Sequence, residues 1–248
     1  MIYDHIISLL NKKKALYFCL IDPDKQSISN SILMAKNCEA SGSDGILIGG
    51  SLLIDNDFDN TVKAIKNEIT IPLIIFPGIF NFVSRYADAI LLLNMISGRN
   101  PNLLIGEQVR AAADIYRFKL ESIPTAYMLI ESGSYTSVEY MSNSNPIPRN
   151  KKDIAVVHSL AAQYMGMKFV YLEAGSGAKL SVPEKMISAV KEKINIPLIV
   201  GGGIKTPSEA RKKVKAGADI IVTGTVLENS KETELIKHFA DSIHNVNS

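Results

Sequence analysis

Three glycine-rich stretches, each at the end of an apolar run, hold the residues of this sequence best suited to chemistry. The first is Glu173-Ala174-Gly175-Ser176-Gly177, and the others are Gly201-Gly202-Gly203 and Gly224-Thr225. Glycine lets the backbone approach a ligand closely, and successive backbone N–H groups form concave sites for anions. The alternative is that these glycines only make tight turns. Their recurrence at three successive apolar runs favours phosphate binding.

Two carboxylates and a hydroxyl also stand at the ends of apolar runs. Asp22 ends the first run, ahead of Pro23, and Ser51 ends the second. On neighbouring parallel strands these two side chains would share one rim, where a carboxylate and a hydroxyl suit Mg²⁺. They could equally be a turn former and a helix cap. Glu173 could be a general base or an ion-pair partner, and its place between two phosphate-type loops favours the base.

Eight short apolar runs, most of them followed by a helical pattern, must position these groups. We predict strands at residues 15–21, 45–51, 71–76, 88–94, 126–130, 169–172, 197–200 and 219–222. This alternation predicts a single (β/α)8 barrel of the TIM type over residues 1–248. In such barrels the catalytic groups lie at the carboxyl ends of the strands. The alternative, an open doubly wound sheet, lacks a Gly-x-Gly-x-x-Gly stretch after the first strand.

Two connections depart from the regular pattern. Only residues 77–86 separate the third strand from the fourth, which is short for a crossover helix, so we expect the barrel to be irregular around its third helix. Residues 131–150 are polar and rich in Ser, Asn and Pro. A connection of that length is typical of a lid or a binding loop.

The composition excludes several classes of function. A formal net charge of +2, from 27 basic and 25 acidic residues, does not indicate a nucleic-acid surface. Two cysteines, Cys19 and Cys38, are too few for a disulfide framework and indicate a reducing cytoplasm. The four histidines share no metal-ligand spacing, which argues against zinc. No apolar run approaches the roughly 20 residues of a membrane span.

Taken together, these motifs resemble the geranylgeranylglyceryl phosphate synthase family, which includes bacterial heptaprenylglyceryl phosphate synthases. The resemblance is carried by Ile21-Asp-Pro-Asp-Lys25, Gly49-Gly-Ser51, Tyr171-Leu-Glu-Ala-Gly-Ser-Gly177, Gly201-Gly-Gly-Ile-Lys205 and Gly224-Thr225. The long 131–150 segment is more similar to the geranylgeranyl-type group than to the heptaprenyl enzymes. Those enzymes also have a lysine two residues before the metal aspartate, where this chain has Leu20.

The resemblance implies a Mg²⁺-dependent prenyltransferase of ether phospholipid biosynthesis. It would join geranylgeranyl diphosphate, or a similar polyprenyl diphosphate, to the 3-hydroxyl of sn-glycerol 1-phosphate. It implies metal binding by Asp22 and Ser51, proton removal by Glu173, and orientation of the alcohol by Tyr171. It implies glycerol phosphate binding by Tyr171, Leu172, Glu173, Ala174, Gly175, Ser176, Gly177, Gly202, Gly203, Gly224 and Thr225. Exposed apolar helix faces on a barrel favour a homo-oligomer, a dimer or a hexamer, and we expect it to be cytoplasmic, with transient membrane-surface contact through the prenyl substrate.

Two other interpretations of the phosphate loops remain open at this point. A barrel isomerase or aldolase acting on a sugar phosphate would use the same loops, although none of the eight runs contains the lysine that a Schiff-base aldolase needs. A non-catalytic protein that binds a phosphate ligand would tolerate the loss of Asp22 and Glu173. Only the prenyltransferase requires both Mg²⁺ and a long apolar co-substrate.

Overall fold

Eight parallel strands close into a barrel in the order in which they occur along the chain. The structure is a computed structural model that describes residues 1–50, 57–78, 82–228 and 233–246. The strands within these residues are β1 (Leu16–Ile21), β2 (Gly45–Ile48), β3 (Leu73–Ile75), β4 (Ala89–Met95), β5 (Glu121–Leu129), β6 (Phe169–Glu173), β7 (Leu198–Gly201) and β8 (Ile220–Thr223). The predicted (β/α)8 barrel is confirmed, and the open sheet is wrong because β1 pairs with β8 as well as with β2.

The helices surround this barrel. The α-helices of the described residues are α1 (Ile2–Lys12), α2 (Ile28–Ala40), α3 (Phe58–Lys66), α4 (Glu107–Phe118), α5 (Ser137–Ser142), α6 (Lys152–Tyr164), α7 (Glu184–Lys191), α8 (Pro207–Lys215), α9 (Thr225–Glu228) and α10 (Thr233–His244). A π-helical turn, Asn102–Gly106, leads into α4. None of the helices in these ranges is long and apolar enough to cross a lipid bilayer.

Helix α1 closes the amino-terminal end of the barrel. Ile6 of this helix is buried in one cluster with residues that point into the barrel, including Phe18 and Phe169. The first backbone N–H groups of α1 have no partner within the helix, and the Glu121 carboxylate accepts from two of them. Because α1 blocks this end, a ligand must enter from the carboxyl ends of the strands.

Three aspartates tie neighbouring strands together at the amino-terminal end. Asp44, Asp88 and Asp219 directly precede β2, β4 and β8. Each accepts a backbone N–H from the start of the preceding strand, at 2.7–2.9 Å, and each pairs with a lysine that lies at the end of the helix before that strand. These contacts give the amino-terminal face a stabilising role, which leaves the opposite face for chemistry.

The two largest differences from the sequence-based expectation lie in β5 and in the segment 131–150. Strand β5 begins at Glu121, five residues before the predicted start, because its pairing with β4 extends back to Glu121. Pro124 lies within this strand, and its carbonyl accepts the Lys168 N–H on the β6 side. The polar segment 131–150 contains a short helix, α5, that the sequence pattern does not predict. Between β3 and β4 the described residues 76–78 and 82–88 form no helix, in agreement with the irregular third connection.

The two cysteines are buried free thiols. Cys19 lies on β1 and Cys38 on α2, and both belong to the apolar layer between the barrel and the helices.

Candidate active site

A cavity of about 440 Å³ opens at the carboxyl ends of the strands. One side of it is formed by the glycine-rich loops that follow β6, β7 and β8. The other side is apolar and is formed by the ends of β3 and β4 and by residues near the start of α4. The predicted site residues that line this cavity are Asp22, Tyr171, Glu173, Gly175, Ser176, Gly177, Gly202, Gly203, Gly224 and Thr225.

The three predicted phosphate loops meet at one side of this cavity. The hydroxyls of Ser176 and Thr225 lie 3.0 Å apart and so join the loop after β6 to the start of α9. Gly202 and Gly203 have φ angles of +78° and +69°, a backbone conformation that residues with a Cβ rarely adopt. A methyl group on Gly202 would lie 2.6 Å from the Gly175 nitrogen. The two loops therefore pack so closely that only glycine fits there.

Two of the predicted substrate residues point elsewhere. The side chains of Leu172 and Ala174 belong to the apolar layer between the barrel and the helices and do not line the cavity. The backbone N–H of Ala174 donates to the Gly201 carbonyl at 3.1 Å. The cause is strand alternation, which places Tyr171 and Glu173 on one face of β6 and their neighbours on the other.

Glu173 is a buried carboxylate at the centre of the site. Its Oε1 accepts the backbone N–H of Gly175 at 2.6 Å. Burial raises the pKa of Glu173 to about 7, while the Gly175 N–H and the nearby Tyr171 hydroxyl oppose that rise. No cation pairs with Glu173 among the residues that the structure describes. A carboxylate with a pKa near neutrality can take a proton from a bound alcohol, so the general base is favoured over the ion-pair partner.

Tyr171 lies beside this carboxylate and is fully buried. A methyl group on Gly201 would overlap its hydroxyl and would lie 3.0 Å from Glu173 Oε2, so both groups gather over the end of β7. The hydroxyl oxygen has no hydrogen-bond partner of good geometry among the described residues. Burial and the Glu173 charge raise the pKa of Tyr171 well above 10, so the phenol stays protonated. It can donate a hydrogen bond to a ligand oxygen.

The predicted metal residues are only partly described. Asp22 caps the short 3-10 turn Pro23–Lys25, and its carboxylate lies 3.5 Å from the Lys25 ammonium. A methyl group on Gly50 would lie 2.6 Å from Asp22 Oδ1, so the backbone that leads to Ser51 reaches the carboxylate. Ser51 itself lies outside the described residues.

Two aromatic side chains that the sequence does not identify as site residues, Phe76 and Tyr127, line the middle of the cavity beside Tyr171. Phe76, Tyr127 and Tyr171 contact one another with ring centroids 5.3–6.0 Å apart. Burial, and to a smaller extent the Glu173 charge, raise the pKa of Tyr127 well above 10. Strand register brings these residues together: Tyr127 on β5 pairs directly with Tyr171 on β6. The alternation along β5, which directs Tyr127 and Leu129 into the barrel, is a sequence signal that could have identified Tyr127.

Two lysines that were not predicted to be site residues, Lys25 and Lys205, also line the cavity. Lys25 follows Asp22 in the first motif, and Lys205 follows the glycines of the loop after β7. The Lys205 ammonium donates to the Lys179 carbonyl at 3.2 Å. Both cations lie where anionic groups would bind, and their position after strand ends could have identified them.

The apolar side of the cavity suits a hydrocarbon chain. Its lining residues are Leu20, Phe76, Pro77, Leu93, Met95, Leu103 and Val138. Val138 comes from α5, so the 131–150 segment contributes to the site, as expected of a binding loop. The same segment contacts the loop after β6, where Leu180 N donates to Ser132 O at 3.0 Å.

Comparison with known proteins assigns the chain to a family. Residues 8–243 match the PcrB family. A geranylgeranylglyceryl phosphate synthase of Chitinophaga pinensis is 46% identical over 243 residues, which cover 98% of this chain and 96% of the relative. The corresponding synthase of Pyrococcus horikoshii is 45% identical over 235 residues, covering 94% and 92% of the two chains.

A solved structure agrees with these sequence matches. The crystal structure of (S)-3-O-geranylgeranylglyceryl phosphate synthase from Thermoplasma acidophilum, in complex with sn-glycerol-1-phosphate, superimposes with a TM-score of 0.91 at 37% identity. The match covers 96% of this chain and 98% of that one. These similarities confirm the resemblance found in the motifs and the predicted enzyme class, a prenyltransferase. The chain belongs to the PcrB family.

Proposed function

We propose that the protein joins a polyprenyl diphosphate of the geranylgeranyl type to the 3-hydroxyl of sn-glycerol 1-phosphate. The products are geranylgeranylglyceryl phosphate and diphosphate, as in ether phospholipid biosynthesis. The observation that carries this proposal is the position of Glu173 and Tyr171 between the glycine loops and the apolar side of one cavity. The names of the relatives at 41–46% identity and the ligand of the Thermoplasma structure support it.

The two halves of the cavity match the two substrates. The phosphate of glycerol phosphate accepts from backbone N–H groups of the loops after β6, β7 and β8. The prenyl chain lies against the apolar side, which a sugar phosphate would leave unfilled. This difference favours the prenyltransferase over an isomerase or aldolase acting on a sugar phosphate.

The reaction then follows from the residues between the halves. The glycerol hydroxyl oxygen bonds to the first carbon of the prenyl chain as the bond from that carbon to the diphosphate oxygen breaks. Glu173 takes the proton of the hydroxyl, and Tyr171, which stays protonated, orients the alcohol by donating a hydrogen bond. The cavity holds the alcohol near the allylic carbon and limits access of water, which would otherwise capture that carbon.

Asp22 fits a Mg²⁺ ion that arrives with the diphosphate. No group of three or more His, Cys, Asp and Glu side chains that could hold a metal occurs within the described ranges. Mg²⁺ often binds through one or two carboxylates together with phosphate oxygens and water, so one aspartate at the rim is a sufficient donor set. In this proposal Asp22, with Ser51, would hold the ion, which would neutralise charge on the leaving diphosphate.

The proposed homo-oligomer would bury exposed apolar side chains of α6. Val157, Tyr164 and the adjoining Met165 are 59–80% exposed. Dimer or hexamer, and a cytoplasmic location, remain predictions from the sequence.

The test of the proposed function is product formation from geranylgeranyl diphosphate with each enantiomer of glycerol phosphate. We expect a metal-dependent ether product from sn-glycerol 1-phosphate and at least about a hundred-fold less from sn-glycerol 3-phosphate, because the binding loops and Glu173 are fixed relative to each other. Mass spectrometry of the organic extract measures the product. Absence of product with prenyl diphosphates of every length would reject the prenyltransferase proposal.

Replacement of Asp22 tests the metal assignment. We expect Asp22→Asn to raise the Mg²⁺ concentration for half-maximal activity at least about ten-fold, because the amide removes a negatively charged ligand. Asp24→Asn is the matched control, since Asp24 is two residues away and does not line the cavity. An unchanged Mg²⁺ titration of the Asp22 variant would show that the metal is held elsewhere.

A further inference from the structure

A contact between two loops lies just behind the phosphate side of the cavity. Glu209, in the first turn of α8, accepts from two separate parts of the chain. Its Oε2 accepts the Lys205 backbone N–H at 2.9 Å, and its Oε1 accepts the hydroxyl of Ser181. Lys205 belongs to the loop after β7, whereas Ser181 belongs to the loop after β6.

The Lys205 contact has an ordinary explanation. Thr206 caps α8 by accepting the Glu209 N–H, and a glutamate at this position commonly reaches back to the backbone before the helix. Helix capping does not explain the contact to Ser181. Ser181 is buried and does not line the cavity. Within the part of the chain that the structure describes, Glu209 is the one side chain to which its hydroxyl donates.

A second contact from the same helix holds the same loop. Lys213 lies one turn after Glu209 on α8 and is only 2% exposed. Its ammonium donates to the Val182 carbonyl and to Glu184 Oε1, both at 2.7 Å. Two side chains of α8, Glu209 and Lys213, therefore hold residues 181–184 on the side that faces away from the cavity.

The segment held in this way fixes the distance between the two glycine loops. A methyl group on Gly203 would lie 3.0 Å from the Ser181 nitrogen and 3.1 Å from the Ala178 Cβ. Gly203 and Ala178 both line the cavity, and Gly177 precedes Ala178 directly. A displacement of Ser181 would therefore move the loop after β6 relative to the loop after β7.

We propose that the Ser181–Glu209 contact is a positioning contact for phosphate binding. It holds the backbone N–H groups of the loops after β6 and β7 at the separation that one phosphate group requires. The proposal rests on the proposed function for the identity of the substrate, but only on the glycine loops for the phosphate. Neither side chain touches the substrate.

The test replaces Ser181 by alanine, which removes the cross-loop hydrogen bond and leaves the Glu209 charge and the helix cap in place. We expect the KM for sn-glycerol 1-phosphate to rise about ten-fold, with kcat and the KM for the prenyl diphosphate within about two-fold of wild type. Ser188→Ala is the matched control, because the Ser188 hydroxyl donates to the Ala216 carbonyl at the far end of α8. That variant should behave as wild type.

Two further measurements separate positioning from general stabilisation. Glu209→Gln, alone and combined with Ser181→Ala, forms a double-mutant cycle in which we expect the effects on KM to be strongly non-additive. Glu209→Asp keeps the negative charge, but its side chain is too short to reach Ser181, so we expect its KM for sn-glycerol 1-phosphate to be raised as well. Additive effects, or a Ser181→Ala variant that only lowers the melting temperature, would overturn the proposal.

Binding of inorganic phosphate keeps this test independent of turnover. Titration calorimetry of the wild type and of Ser181→Ala should show about ten-fold weaker phosphate binding in the variant. If the wild type forms no ether product but this difference holds, the proposed function fails and the positioning contact stands. If both bind phosphate equally, the positioning contact is wrong whatever reaction the enzyme catalyses.

Discussion

Replacing Glu173 by glutamine is expected to reduce turnover at least about a hundred-fold while making the folded protein more stable. As the proposed base, Glu173 would act only when deprotonated, and a positioned base contributes roughly 10²- to 10⁴-fold to the rate. The glutamine keeps the shape of the side chain and an oxygen for the Gly175 N–H, but it cannot take a proton. We therefore expect kcat to fall by at least about a hundred-fold.

The pH dependence should identify the same residue. Because the pKa of Glu173 is about 7, the wild-type rate should rise about ten-fold per pH unit below 7 and level off above it. The glutamine variant should lose this rise in its residual activity. Glu192→Gln is the control, because it makes the same change at an exposed carboxylate paired with Lys193. Turnover within about ten-fold of wild type, with the rise retained, would show that Glu173 is not the base.

The stability effect has the opposite sign and follows from the same pKa. Folding raises the pKa of Glu173 from 4.5 to about 7, so the folded state favours the protonated carboxyl. The stabilisation of the folded state by the protonated carboxyl is fully present below pH 4.5 and is lost as the pH rises through 7. The difference between the two pKa values corresponds to about 3 kcal/mol in the free energy of unfolding. The wild type loses this stability at high pH, whereas the glutamine variant keeps it because its side chain does not ionise. Thermal unfolding should show the variant to be more stable at about pH 8 and close to wild type at about pH 4.5.

Replacing Gly202 by alanine is expected to impair the use of glycerol phosphate as a substrate at least about a hundred-fold. The new methyl group would overlap the Glu173 carboxylate and would lie 2.6 Å from the Gly175 nitrogen and 2.8 Å from the Ala174 nitrogen. Either the carboxylate or the loop after β6 must move, and a shift of about 1 Å in a positioned group can reduce the rate about 10²-fold. We expect kcat/KM for glycerol phosphate to fall by at least that factor.

Gly166 provides the control for backbone strain. Its φ of +81° matches the +78° of Gly202, but a methyl group there would meet nothing within 4 Å. Gly166→Ala should lower stability by about 1–2 kcal/mol, the penalty of a left-handed residue with a Cβ, and leave kcat/KM unchanged. Equal losses of activity in the two variants, with circular dichroism showing both folded, would attribute the effect to strain rather than to the closeness of the loops.

The barrel, the rim at which the site lies, and most of the phosphate-side residues can be predicted from the order of the amino acids alone. These features are local: apolar runs of strand length alternate with helical patterns, and glycines or carboxylates follow the runs directly. A residue that ends a parallel strand must lie at the rim whatever the strand's neighbours are. For that reason the sequence alone is sufficient to select Asp22, Glu173 and the three glycine stretches.

By contrast, the side chains that face the cavity and the groups that share one surface are known only from how the strands pack against one another. The alternation along β6 directs Tyr171 and Glu173 into the cavity and Leu172 and Ala174 away from it, and this depends on the register of the closed barrel. The contact of Tyr127 with Tyr171 and the raised pKa of Glu173 likewise depend on packing between strands. Such properties arise from residues distant in sequence, so no local pattern encodes them.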